Sequence, residues 1–157
     1  MAIKYRKYRP ADFLDAARLV RDVSTRYFHT DIKTVEGKKF WKNLQSVKKS
    51  NISAQKKLYN SLPIKIVAEH NSKVVGIITG TPDELKMLFV KTSFQKKGIA
   101  TELYSRFKNQ LILQNSRLIK VRSSRFAEIF YQKVGFVRTG PEKDINGLPV
   151  IPMEAKI

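Results

Sequence analysis

The stretch from Glu84 to Tyr104, ELKMLFVKTSFQKKGIATELY, limits what this chain can fold into more than any other. Leu85, Met87 and Phe89 alternate with Glu84, Lys86, Leu88 and Val90. That is the period of two of a sheet strand, with apolar residues on both faces near its end. The pattern stops at Lys91-Thr92-Ser93. After Gln95-Lys96-Lys97-Gly98-Ile99-Ala100, the apolar residues Leu103, Tyr104, Phe107, Leu111 and Ile112 recur at helical spacing. Strand, short loop and helix N-terminus in that order form an anion site. The first amides of a helix lack internal partners, and the helix dipole adds partial positive charge there. Gly98 and Ala100 are small enough to let a phosphate reach the backbone.

A chain of 157 residues fits one domain, residues 1–157, and buries a substantial core. It has no cysteine, which excludes a disulfide framework, a thiol nucleophile and a cysteine-based zinc site. MAIKYRKYRP lacks the apolar segment of a signal peptide, and the longest apolar runs fall far short of a membrane span, so a soluble cytoplasmic protein is expected. Lysine and arginine total 31 against 13 aspartate and glutamate, a net charge of +18 that draws polyanions of any kind. Nucleic acid, a ribosome, an acidic lipid surface, an acidic protein and a phosphate-rich cofactor all suit it. A lysine-rich composition that only solvates the surface suits it equally.

In chain order, residues 3–8 read as a strand ended by Pro10, and Asp12 opens a helix. Phe13, Ala16, Ala17, Val20, Val23 and Tyr27 form one apolar stripe, which reads as core. Thr34 is placed to cap a second helix through Phe40, Trp41, Leu44 and Val47. Residues 48–63 are polar and turn-rich, and their first part reads as a mobile loop. Residues 64–69 and 73–79 form a hairpin, and Gly80-Thr81-Pro82-Asp83 turns into the organising strand. Leu118–Arg122 is a further strand, Ser124 caps a short helix, Gly135 ends it, and two strands follow. His29 and His70 are isolated, and no spacing of histidines or carboxylates suggests a metal site.

Two motifs carry a family resemblance. Gln95-x-x-Gly98-x-Ala100 after a strand ending Leu88-Phe89-Val90, followed by F-Y-Q-K-V-G-F at 130–136, resembles the acetyl-CoA core of the GNAT superfamily of N-acetyltransferases. The resemblance is specific over about residues 84–139. It implies an α+β fold with a mixed sheet of six or seven strands flanked by about four helices, and direct transfer of an acetyl group from acetyl-CoA to a primary amine. By the same resemblance, the main chain of Leu88, Phe89 and Val90 holds the pantetheine arm. Gln95, Lys96, Lys97, Gly98, Ile99, Ala100 and Thr101 form the pyrophosphate loop. Ser124 and Ala127 stand at cofactor-contacting positions, with Ser124 where relatives often carry asparagine. Tyr131 aligns with the general-acid tyrosine. Glu84 stands where many relatives have the base, with Asp83 and water as rivals. The helices after residue 24 cover the acceptor site.

Other readings remain open at the level of residues alone: a basic RNA- or ribosome-associated protein on this fold, a CoA-binding regulator without catalysis, and a homodimer. The acceptor amine is not legible from the motifs.

Overall fold

The computed structural model describes residues 1–157 and contains eight strands and five α-helices. The strands are β1 (Lys4–Lys7), β2 (Ile64–His70), β3 (Lys73–Gly80), β4 (Glu84–Val90), β5 (Leu118–Ser123), β6 (Val137–Arg138), β7 (Lys143–Ile145) and β8 (Leu148–Lys156). The helices are α1 (Phe13–Tyr27), α2 (Val35–Leu44), α3 (Lys49–Ser61), α4 (Ile99–Leu113) and α5 (Glu128–Lys133). The sheet runs β1-β2-β3-β4-β5-β8-β6, with β7 also on β8. Every pairing is antiparallel except β4 with β5, the two strands joined through α4. The α+β mixed-sheet expectation holds, with one strand and one helix more than the upper expectation.

Two apolar layers hold the sheet. On one face, Ile99, Leu103, Tyr104, Phe107 and Leu111 of α4 meet Ile66, Ile78, Leu85 and Val90. On the other, Phe13, Ala16, Ala17, Val20 and Val23 of α1 meet Val67 and Ile77. A smaller cluster of Ile32, Leu148 and Val150, flanked by Phe28 and Trp41, fastens the α1–α2 connection to the start of β8.

Several local readings change. Pro10–Asp12 forms a 3-10 turn before α1; Asp12 does open the helix, at its N-cap position, while its buried carboxylate pairs with Arg6. Thr34 does cap α2, its hydroxyl accepting from the Gly37 amide at 3.1 Å, but α2 stops at Leu44, short of Val47. The larger correction lies at residues 49–61, which are helix α3 and not a loop. Ile52, Gln55 and Tyr59 share one face. Tyr59 packs edge-on to Phe13 with centroids 5.4 Å apart, and the Gln55 amide donates to the Leu44 and Ser46 carbonyls. A polar Gln55 in the middle of the stripe hides the helical period, and packing against α1 supplies what weak propensity does not.

Gly80 lies tight against both β4 and α4: a Cβ there would run into the Glu84 carbonyl oxygen and stand 2.6 Å from Cζ of Phe107, which is fully buried. Both backbone and ring would have to shift. Gly80→Ala is therefore expected to destabilise the fold by about 1–3 kcal/mol, the range for overpacking a filled core. Urea unfolding followed by circular dichroism measures it, and a loss below about 0.5 kcal/mol would mean the α4–sheet contact yields easily.

Candidate functional site

β4 and β5 begin as a parallel pair and then part. Their register holds only at Glu84 with Lys120 and Leu85 with Val121. On its other edge β4 stays paired with β3 as far as Val90, through a bulge: Met87 faces Thr79 and Leu85 faces Gly80, so Lys86 is the extra residue. A bulge bends its strand and adds twist, and this one falls where β5 leaves β4. Beyond it, the β5-side edge of Leu88–Val90 has no strand partner. It faces a cavity of about 410 Å³, a size suited to a small-molecule ligand.

Leu88, Phe89 and Val90 form one wall, and Ala127, Phe130 and Tyr131 of the α5 region form the opposite one. The loop residues Gln95, Lys96, Gly98, Ile99, Ala100 and Thr101 close one end. In that loop, Lys96 has φ +58° and Gly98 has φ +79°. Alternating left-handed residues turn successive N–H groups into one concavity, and α4 starts directly after Gly98. Nothing lies within 4 Å of where a Cβ on Gly98 would stand, so the approach to these amides is open. Helix N-terminus, nest and open approach together fit a pyrophosphate.

Gln95 ties the loop to the strand and to α1. Its side-chain amide donates to the Val90 carbonyl at 3.0 Å, and its carbonyl accepts from the Tyr27 hydroxyl at 3.3 Å. Tyr27 stacks on Phe126 with centroids 3.9 Å apart and planes 16° apart. Beside it, Arg125 pairs with Asp31 at 3.7 Å and with Glu142. Stack and ion pairs bridge the cleft from the α1 side to the turn before α5.

Tyr131 is buried, and its ring meets Phe136 edge-on at 5.2 Å and Phe130 at 5.4 Å. Burial pushes its phenol well above the ordinary tyrosine value, with the neighbouring Tyr104 adding to the shift. The group is a neutral phenol at neutral pH, as an ordinary tyrosine is, and burial makes it harder to ionise.

Not every expected residue reaches the cavity. Lys97 is exposed, and its ammonium lies over the Phe94 ring at 5.4 Å. The Ser124 hydroxyl is occupied by the Ala127 amide at 3.2 Å, turning the chain into α5. Glu84 lies at the far end of β4, about four residues or roughly 13 Å along the strand from Leu88. It is held between Lys86 and Arg122. Asp83 accepts from the Thr81 hydroxyl in the preceding turn.

The structure also adds residues that the motifs do not contain, Val23, Phe28, Phe94, Phe126 and Ile129, and brings in Lys133 of the second motif, to which the sequence assigns no role. Val23 belongs to the stripe read as pure core and is both core and cavity wall. Phe126 and Ile129 are exposed apolar residues of the far wall, an exposure that only the folded chain reveals. His29 contacts Gln45 and His70 contacts the Ala2 carbonyl, and neither lines the cavity. No group of three or more potential metal ligands occurs, and no helix is long and apolar enough to cross a membrane.

Comparison with solved structures places this architecture. A GCN5-related N-acetyltransferase from Rhodopseudomonas palustris superposes with a TM-score of 0.80 at 20% identity, covering 100% of this chain and 97% of that one. PaiA N-acetyltransferase from Thermoplasma acidophilum, solved in complex with coenzyme A, gives 0.74 at 21% identity over 100% of both chains. An aminoglycoside 6'-N-acetyltransferase complexed with coenzyme A gives 0.70 at 16% identity, covering 99% of this chain and 97% of that one. Comparison of the sequence with curated proteins finds no match. The family model described as acetyltransferase (GNAT) domain matches residues 29–157, which takes in the parted strands, the loop and Tyr131, and the chain belongs to the GNAT acetyltransferase family.

Proposed function

We propose that the protein is an N-acetyltransferase that uses acetyl-CoA and passes the acetyl group directly to an amine while both are bound. The observation that carries this reading is the cavity between the parted strands, which runs from the Gly98 loop to Tyr131. Coenzyme A in two structural relatives supports it.

Acetyl-CoA supplies the acetyl group as an activated thioester. The amides of residues 96–101 hold the pyrophosphate, with the α4 dipole behind them. Leu88–Val90 offer main-chain groups to the pantetheine arm as an added strand. One of those amides, directed at the thioester oxygen, favours the charge that grows there as the amine attacks. The C–N bond forms as the C–S bond breaks, and the released sulfur takes the Tyr131 phenolic proton. The amine's own proton goes to water in the open cleft, and water returns a proton to the Tyr131 phenolate, so the acid is restored for the next turnover. Glu84, engaged by Lys86 and Arg122, is assigned no direct contact with the amine.

Three substitutions separate these roles. Gly98→Glu puts a carboxylate into the open space in front of the loop and is expected to abolish acetyl-CoA binding in calorimetry while leaving the circular dichroism spectrum intact. Unchanged affinity in that folded variant would remove the loop from the site.

Tyr131→Phe keeps the ring contacts and removes only the donor. Turnover with a competent amine should fall about a hundredfold to ten-thousandfold with acetyl-CoA affinity retained. Full turnover would sink the general-acid assignment. Glu84→Gln is expected to lower turnover by less than about tenfold, and a loss as large as that for a catalytic base, about a hundredfold or more, would make Glu84 the base after all.

A further inference from the structure

A cleft between β1 and α4, at the edge of the sheet, gathers polar groups that acetyl transfer leaves unused. Alternation along β1 sends Arg6 to the α1 side, where Asp12 and Glu69 engage it, and sends Tyr5 and Lys7 to the α4 side. There they meet Arg106, Asn109 and Gln110, whose helical spacing puts them on one face of α4. Buried Ile66 of β2 completes the lining of a cleft of about 260 Å³. It shares no residue with the cavity beside Leu88–Val90. β2 and β3 lie between β1 and β4, which puts those two strands about 14 Å apart, three strand spacings.

The lining is rich in donors without acceptors. Lys7 belongs to no ion pair. Arg106 donates only from Nε, to Glu102 at 2.7 Å, which leaves both terminal nitrogens of its guanidinium free. The same guanidinium lies over the Tyr5 ring, 4.9 Å from its centroid, so two contacts fix its position. The Asn109 and Gln110 carboxamides have no hydrogen-bond partner within the chain. No carboxylate lines the cleft, and Arg6, the third cation there, is spent on Asp12, Glu69 and the Lys7 carbonyl.

Charge and the number of free donors decide what such a cleft accepts. Two cations and two carboxamides, on a chain of net charge +18, attract an anion and repel a metal ion. A carboxylate brings one charge and two oxygens, whereas a phosphate group brings up to two charges and three strong acceptor oxygens. Arginine meets phosphate with parallel N–H bonds, and lysine adds a point charge. The cleft is smaller than the roughly 300–1,000 Å³ of sites for drug-sized ligands, and that size suits a phosphate with at most a small organic remainder.

We infer that the β1–α4 cleft is a second ligand site, taking the phosphate group of free phosphate or of a small phosphate monoester. Lys7 and Arg106 supply the charge, and Asn109 and Gln110 supply further hydrogen bonds. The bound group ties the edge strand to α4, the helix that begins at the Gly98 loop. Nothing in this inference rests on the acetyltransferase reading.

Thermal melting and NMR of the intact protein test it, with inorganic phosphate, methyl phosphate and chloride at matched ionic strength as the added anions. Both phosphates should raise Tm along a saturable curve that chloride does not reproduce. The side-chain amide signals of Asn109 and Gln110 should move along the same titration. Equal affinities for the two phosphates assign the free ion, and tighter binding of methyl phosphate assigns the monoester. The Gly98 loop is the competing position for phosphate, so two variants are compared. Lys7→Gln combined with Arg106→Gln should weaken phosphate binding about tenfold to a hundredfold, the usual worth of hydrogen bonds to charged groups, and leave acetyl-CoA affinity unchanged. Gly98→Glu should leave the phosphate-induced shifts of Asn109 and Gln110 as they were. Loss of those shifts in Gly98→Glu with their retention in the double variant would put the anion at the loop and overturn the inference. A chloride response equal to that of phosphate would overturn it too, since screening of the net charge then accounts for the melting, and so would Asn109 and Gln110 signals that stay in place.

Discussion

The whole site depends on a strand pair that stops. A parallel pair inside a sheet normally continues, because an unpaired edge leaves backbone groups without partners where water is scarce. Here β4 and β5 pair at two positions and then separate, and the bulge at Lys86 bends β4 at the point of separation. The gap does not collapse because both sides are held elsewhere. β4 is bound to β3 as far as Val90, β5 is bound to β8 along its whole length, and the rings of Tyr104, Phe136 and Tyr131 prop the α5 side from below. A strand edge is thereby kept unpaired in the interior, ready for a ligand that offers strand-like hydrogen bonds.

The remaining elements serve that gap in recognisable ways. α4 leaves the end of β4 through a loop whose left-handed Lys96 and Gly98 aim amides outward, and its apolar face is anchored against Gly80 and Ile78. α5 brings a buried phenol to the opposite wall. Tyr27, Phe126, Arg125 and Asp31 cross the cleft on its outer side, so the α1 C-terminus is part of the site and not merely of the core. Gln95 joins three of these parts by contacting β4 and α1 from within the loop.

How much of this could be read beforehand follows from the range of the forces involved. The loop, β4, the α4 stripe, Gly135 as helix terminator and Thr34 as cap were legible because each rests on contacts a few residues apart in the chain. The cavity's outer wall was not, since Val23, Phe28 and Phe126 are ordinary apolar residues until the fold brings α1 beside the α5 turn. α3 was misread because its stripe of Ile52, Gln55 and Tyr59 contains a glutamine whose partners, the Leu44 and Ser46 carbonyls, exist only after folding. Glu84 was singled out from its place at the head of β4, and that place is as expected. What position in the chain could not convey was that Arg122, 38 residues on, comes to lie across the strand pair and engages it.

Hydrogen–deuterium exchange with and without acetyl-CoA tests the central claim, that the unpaired edge of β4 and the adjoining loop are where the cofactor lies. The account predicts slowed exchange confined to peptides covering residues 86–101 and the α5 region around Tyr131, because those amides gain partners or lose solvent. Protection centred on β1, β6 or the α2–α3 helices, with residues 86–101 exchanging at the same rate in both samples, would contradict it.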